Sequence, residues 1–313
     1  MKKAWEKGIV ILGAVILALF FCLGKKEEKV YTNGYQYLIG VSVPNVIEPW
    51  LNNFIDALTE KAESDMSVNI IFRDAAGNSE KQLQDIRSLT ECGIDLLIVS
   101  PNDSNSLNQV LQETFRKIPI ILAGVGVQSE DYTCLIQADD KKIGRLAGEY
   151  ILENLYEQNQ RIVVFEGVED SQVSKQRKEG FQNAIQGKIP ETDITYYNGE
   201  WLRDRAELRM KDYLIAHDFA EIVFAEIVFA FNDDMAYGAY LAYQQYRMDG
   251  TVHIIGVDGF EGESEGLNLV NRGILDATIQ TPDFGGLSYE IAKRILNGEK
   301  VDRNIIIQPK LIF

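Results

Sequence analysis

YLIGVSVPNVIEPWLNNFIDALTEKA, residues 37–62, decides the fold. Its first seven residues, Tyr37–Val43, are a short, almost unbroken apolar run of the kind that fills a strand buried on both faces. Behind them Leu51, Phe54, Ile55, Leu58 and Ala62 recur at helical spacing, which gathers them on one stripe of an amphipathic helix. A doubly covered strand followed at once by a helix is one unit of a parallel sheet.

The same alternation runs down the chain. VNIIF, IDLLIVS, IPIIL and CLIQ read as strands in the first half. Helices are predicted over Ser79 to Glu91, stopping at Gly93, over about Ser104 to Arg116, and through Ile143, Leu146, Ala147, Tyr150 and Ile151, with Asp139 or Asp140 at the N-cap. In the second half RIVVFE, ITYYN, EIVFAF, VHIIGVD and LDATIQ alternate with helical stretches around Lys175 to Ile185, Asp204 to Ile215, Met235 to Tyr246, Ser264 to Asn271 and Leu287 to Leu296. About ten strands exceed an ordinary open sheet of this class. The expectation is therefore an α/β chain of two doubly wound parallel-sheet lobes, with function sought just after the strand ends. The tandem repeat AEIVF-AEIVF, residues 220–229, matches neither helix nor strand period. Five is odd, so the first copy is expected to extend the preceding loop or helix end rather than invert a strand.

Charge narrows the function classes. Across 313 residues, 31 Lys and Arg face 47 Asp and Glu, a net charge of -16. That balance excludes a nucleic-acid binder, which needs a basic surface. Residues 1–30 run the other way, with Lys2, Lys3, Lys7, Lys25, Lys26 and Lys29 against Glu6, Glu27 and Glu28. They hold GIVILGAVILALFFCLG, Gly8 to Gly24, which carries no charge and reads as a signal peptide or membrane anchor. The body is expected outside the cytoplasm, attached to the cell membrane by this segment. Lipidation of Cys22 is disfavoured by the bulky Phe21 before it. Cys92 and Cys134 read as unpaired small hydrophobes.

No motif assembles a reaction centre. GESEG, residues 262–266, fits G-x-S-x-G, yet both histidines, His217 and His253, precede its serine. Its glutamates also oppose an oxyanion. No set of residues has metal-ligand spacing, and no phosphate-binding loop is present, so neither metal nor cofactor is expected. The pairs Asp139–Asp140 and Asp233–Asp234 begin predicted helices, where capping explains them. Binding is the default function.

The residues that follow the strands suit a small polar ligand. Glu48 and Trp50, Asn102 to Ser104, Asn232 to Asp234, Asp258 and Gln280 stand at strand ends, and Arg177 and Trp201 lie between strands of the second half. Planar polar groups make paired hydrogen bonds to vicinal hydroxyls, and aromatic faces cover the C–H side of a sugar ring.

VSVPNVIEPW, IVSPNDSNSL, IPIILAG, IQADDKKIGRLAGEYI, KQRKEGF, FAFNDDMAYGA, IIGVDGF and LDATIQTPDFGG, in this order, resemble the type I periplasmic binding proteins, in particular the ribose-binding group. The resemblance spans nearly all of residues 36–313. It implies two lobes joined by crossover strands, residues 36–138 with 281–306 and residues 139–280 with 307–313, closing on one ligand. It implies a monomer whose partner is an ABC permease or, in a membrane-anchored sensor, a sensor kinase. Carried over by position, Trp50 and Trp201 stack on the sugar, Glu48 stands in for a family asparagine, and Arg177, Asn232, Asp258 and Gln280 are polar contacts. Gly124 and Val125 stand where the ribose group has an Asp-Arg pair, which argues against ribose itself.

Overall fold

The computed structural model describes residues 34–157, 160–218, 225–246, 252–281 and 283–313. The apolar leader and the first AEIVF copy lie outside the described residues. The second copy forms most of a central strand, Ala225–Ala230.

Two six-stranded sheets stand side by side. The first takes β1 (Tyr37–Val43), β2 (Val68–Asp74), β3 (Leu96–Val99), β4 (Ile120–Ala123), β5 (Cys134–Ala138) and, from near the C-terminus, β11 (Asn304–Ile307), in the order β11-β5-β4-β3-β1-β2, all parallel. The second takes β6 (Arg161–Glu166), β7 (Ile194–Asn198), β8 (Ala225–Ala230), β9 (His253–Asp258), β10 (Ala277–Gln280) and β12 (Lys310–Ile312), in the order β12-β10-β9-β8-β6-β7. Only β12 runs antiparallel, against β10.

Helices cover both sheets because their apolar stripes have nowhere else to go. On the first, α1 (Pro49–Ser64) and α9 (Phe284–Leu296) bury Leu51, Phe54, Leu58 and Ile291 against one face. There α2 (Ser79–Glu91) and α3 (Asn108–Phe115) bury Ile86, Leu89, Val110 and Leu111 against the other. On the second sheet lie α4 (Asp140–Tyr150), α5 (Gln172–Ile185), α6 (Arg203–Asp218), α7 (Asp233–Tyr246) and α8 (Gly266–Asn271). Its core is rich in large rings: Phe165, Phe181, Phe229 and Phe231 are wholly buried. Each such side chain contributes about 1.5–3 kcal/mol. The chain passes between lobes three times, between β5 and α4, between β10 and α9, and through Gln308 and Pro309 between β11 and β12.

Local chemistry moves several helix boundaries. α3 starts at Asn108 instead of Ser104 because the Asp103 carboxylate accepts from the Asn105 and Ser106 amides, at 2.9 and 3.3 Å, and holds a turn there. α5 starts early, at Gln172, because Ser171 caps it through the Ser174 amide. Of the paired acids, Asp139 is a cap, accepting from the Lys142 amide at 3.0 Å. Asp140, Asp233 and Asp234 instead bind groups from other elements, so capping does not explain them. Cys134 is buried as expected, whereas Cys92 is exposed at the end of α2.

Candidate ligand-binding cleft

The carboxyl ends of both sheets open onto one cavity of about 710 Å³, the size of a small-molecule site. From the first lobe Trp50 reaches it off the first turn of α1, where Pro49 starts the helix without losing a bonded amide. Its ring stacks on Phe54, 5.7 Å between centroids at 12°, and meets the edge of Phe284 at 5.2 Å. Gly124 lies directly behind the ring: its backbone is left-handed, φ 86°, and a Cβ there would sit 3.1 Å from Trp50 Cη2. The aspartate that the resemblance expects at this position would face both obstacles. Glu48, at the N-cap of α1, makes no cap bond, and no group among the described residues bonds its carboxyl. Burial pushes its pKa up to about 7.

The second lobe presents a fixed polar wall. Arg177, on α5, is 6% exposed; its Nε donates to Asp140 Oδ1 at 2.9 Å and its Nη1 donates to the Phe231 carbonyl oxygen. The Trp201 ring lies 5.7 Å from this guanidinium. Trp201 holds a left-handed backbone, φ 67°, and packs over Gly167, where any Cβ would fall 2.0 Å from the indole. Asn232 fixes that loop, since its Nδ2 donates to the Trp201 carbonyl at 3.0 Å while its Oδ1 accepts from the Met235 amide at 2.8 Å. Asp258 ends β9 at φ 113°, a conformation that costs of order 1–3 kcal/mol and aims its backbone out of the strand. It is 5% exposed, and no hydrogen bond to its carboxylate forms among the described residues. Burial raises its pKa well above the usual range, against the pull of Arg177, with Asp233, Glu265 and Asp140 adding to the rise. Beneath it Asp233 accepts from the Gly259 amide at 2.7 Å and the Thr278 hydroxyl at 2.8 Å, and burial lifts its pKa to about 7.

Glu48, Trp50, Arg177, Trp201, Asn232 and Asp258 thus line one cavity. Gln280 does not. Its Nε2 donates to the Gly259 carbonyl at 3.1 Å, and it borders a separate cavity of about 200 Å³ behind Trp50. The next residue, Thr281, borders both cavities, is 3% exposed, and has no partner for its hydroxyl. Sequence reasoning also missed Asp140, whose role depends on Arg177, 37 positions away. Asn102 sits at the rim with its amide engaged by Ser79 Oγ, at 2.7 Å, and the Gly77 carbonyl.

Residues 39–300 match the family described as periplasmic binding protein domain. The chain is 30% identical over 278 residues to the ribose import binding protein of Salmonella typhimurium, covering 88% of this chain and 90% of that one. It is 27% identical over 250 residues to the xylitol-binding protein of Mycolicibacterium smegmatis, covering 78% and 69%. Among solved structures, the fructose binding periplasmic domain of a hybrid two-component system superposes with a TM-score of 0.77 at 29% identity, covering 88% and 90%. No helix among the described residues is long and apolar enough to cross a membrane. Members of this family bind solutes outside the cytoplasm and are not enzymes, in keeping with a cleft of hydrogen-bonding groups between two lobes. The chain belongs to the type I periplasmic binding proteins, in their ribose-binding-like, sugar-binding branch.

Proposed function

We propose that this protein captures a sugar or sugar-like polyol between its lobes, outside the cytoplasm, and delivers it to an ABC permease. The observation that carries the reading is the meeting of two tryptophans from opposite lobes, Trp50 and Trp201, in one cavity with Arg177, Asn232 and Asp258. Indole faces cover the apolar side of a sugar ring, and the guanidinium, amide and carboxyl groups bond its hydroxyls. A ligand that touches both walls binds the closed arrangement better than the open one and shifts the population toward closure. Gly124 and Val125, in place of an Asp-Arg pair, remove charged contacts and favour a ligand other than ribose.

Calorimetry against monosaccharides, polyols and nucleosides tests the reading. Asn232→Ala and Asp258→Ala should each weaken binding roughly tenfold to a hundredfold, because ligand hydroxyls lose buried partners. Unchanged affinity in both variants would place the site elsewhere.

A second reading is a membrane-tethered sensor of the same ligand class. The apolar leader at Gly8 to Gly24 favours it, as does the likeness to a periplasmic domain of a hybrid two-component system. Cross-linking in native membranes separates the two: a permease subunit recovered in the liganded state supports delivery, and a kinase supports sensing.

A further inference from the structure

The charges around the cleft do not balance. Its lining includes Glu48, Asp103, Asp140, Asp170 and Asp258 against Lys175 and Arg177. Both cations are already engaged: Arg177 with Asp140 at 2.9 Å, and Lys175 with Asp170 at 3.3 Å. Asp103 is occupied by the Asn105 and Ser106 amides. Glu48 and the nine-tenths-buried Asp258 are left without a bonded partner among the described residues. They are not equivalent. Arg177 is close enough to Asp258 to oppose the rise in its pKa, whereas only burial acts on Glu48. Among the described residues no Lys or Arg of the first lobe lines the cleft, and Val125 stands where the resemblance expects an arginine.

We propose that the ligand is an amino-substituted sugar or polyol whose ammonium group is received by the Glu48 carboxylate, with Asp258 accepting a ligand hydroxyl. This rests on the reading of the cleft as a sugar site. A half-buried carboxylate without a partner is costly, and a charge-assisted bond to an ammonium group removes that cost.

The test is titration calorimetry on the full chain in detergent at pH 7. The probes are three matched series: glucose, glucosamine and N-acetylglucosamine, and the corresponding galactose and mannose sets. In at least one series the amine should bind about tenfold or more tighter than its parent, a gain that the N-acetyl compound does not share. Glu48→Gln should shrink that ratio to about threefold or less. Parent sugars that bind as tightly as their amines, or N-acetyl compounds that share the gain, overturn the proposal and leave the sugar reading standing. An amine preference that survives Glu48→Gln overturns the assignment to Glu48. If no member of any series binds, the proposal falls, and the sugar reading is decided separately by the wider panel of monosaccharides, polyols and nucleosides.

Discussion

The two lobes share a strand order and differ in what they bury. Among the described residues the first buries no charged side chain, whereas the second buries Asp140, Arg177, Asp233 and Asp258. The first lobe offers the ligand a tryptophan braced by phenylalanines and one unpartnered carboxyl. The second offers groups locked by interior hydrogen bonds before any ligand arrives. One wall is therefore an apolar plate and the other a preorganised polar surface, where hydrogen bonds form without further ordering cost.

Removing Arg177 strikes hardest at this contrast. Arg177→Ala leaves Asp140 buried without its cation and should cost about 3–5 kcal/mol of stability, read as a fall in the urea midpoint. A loss below about 1 kcal/mol would mean that the second lobe's polar wall is not held by this pair.

Two carboxyls, Asp233 in the second lobe and Asp65 in the first, should answer pH with opposite sign. Asp233 titrates near pH 7 in the folded chain, above its ordinary value of 3.8, so the folded state holds that proton longer. Its contribution is fully present below about pH 4 and fades as pH rises toward 7, an effect on the order of a few kcal/mol. Asp65 behaves in reverse. Lys293, Ser67 and Tyr289 hold its carboxyl well below the usual range, so its stabilisation is present above about pH 4 and is lost as pH falls further. Denaturation midpoints across pH 3–8 should show a smaller neutral limb in Asp233→Asn and a smaller acid limb in Asp65→Asn. Unaltered limbs in these variants would dissolve the distinction.

Glycine replacements sharpen the comparison at a smaller scale. A Cβ at Gly144 would lie 1.9 Å from the Arg177 carbonyl oxygen, so Gly144→Ala must separate α4 from α5, at about 1–3 kcal/mol, despite alanine's better helix propensity. At Gly40 the new atom meets the end of the Ile94 side chain, which can turn aside, and the loss should be smaller. Equal thermal shifts would show that backbone proximity does not govern the second lobe. The smallest expected change is in ligand affinity: Trp50→Ala and Trp201→Ala should each weaken binding by about 1 kcal/mol, near fivefold, in calorimetry. An effect confined to one of them would assign ring stacking to a single lobe.

The alternation of apolar runs and helical stripes made the two sheets legible, because burial on both faces demands that pattern. The last two strands were not legible as strands: Asn304–Ile307 and Lys310–Ile312 lie at sheet edges, half exposed, and carry little burial signal. In the cleft, six side chains were legible by position. Gln280 was not, because its direction is set by a bond to the Gly259 carbonyl, which no local pattern reveals. The duties of Asp140, Asp233 and Asp234 were hidden for a related reason. Each has its partner at least 26 positions away, and each resembles a cap locally.

The three passages between lobes act together as a mechanical joint. Only Gln308 and Pro309 separate β11 in one sheet from β12 in the other, so Ile307 and Lys310, three Cα steps apart, cannot lie beyond about 11 Å of one another. Passages this short keep the lobes from sliding far apart and leave turning about the passages as the motion they permit. In such a lever, points near the axle hardly travel while distant points sweep widely. Phe284, beside Trp50, follows one passage and stays close to the axle, so a ligand there moves little as the outer rims swing. A partner that gripped both rims would read occupancy as distance, without touching the ligand at all.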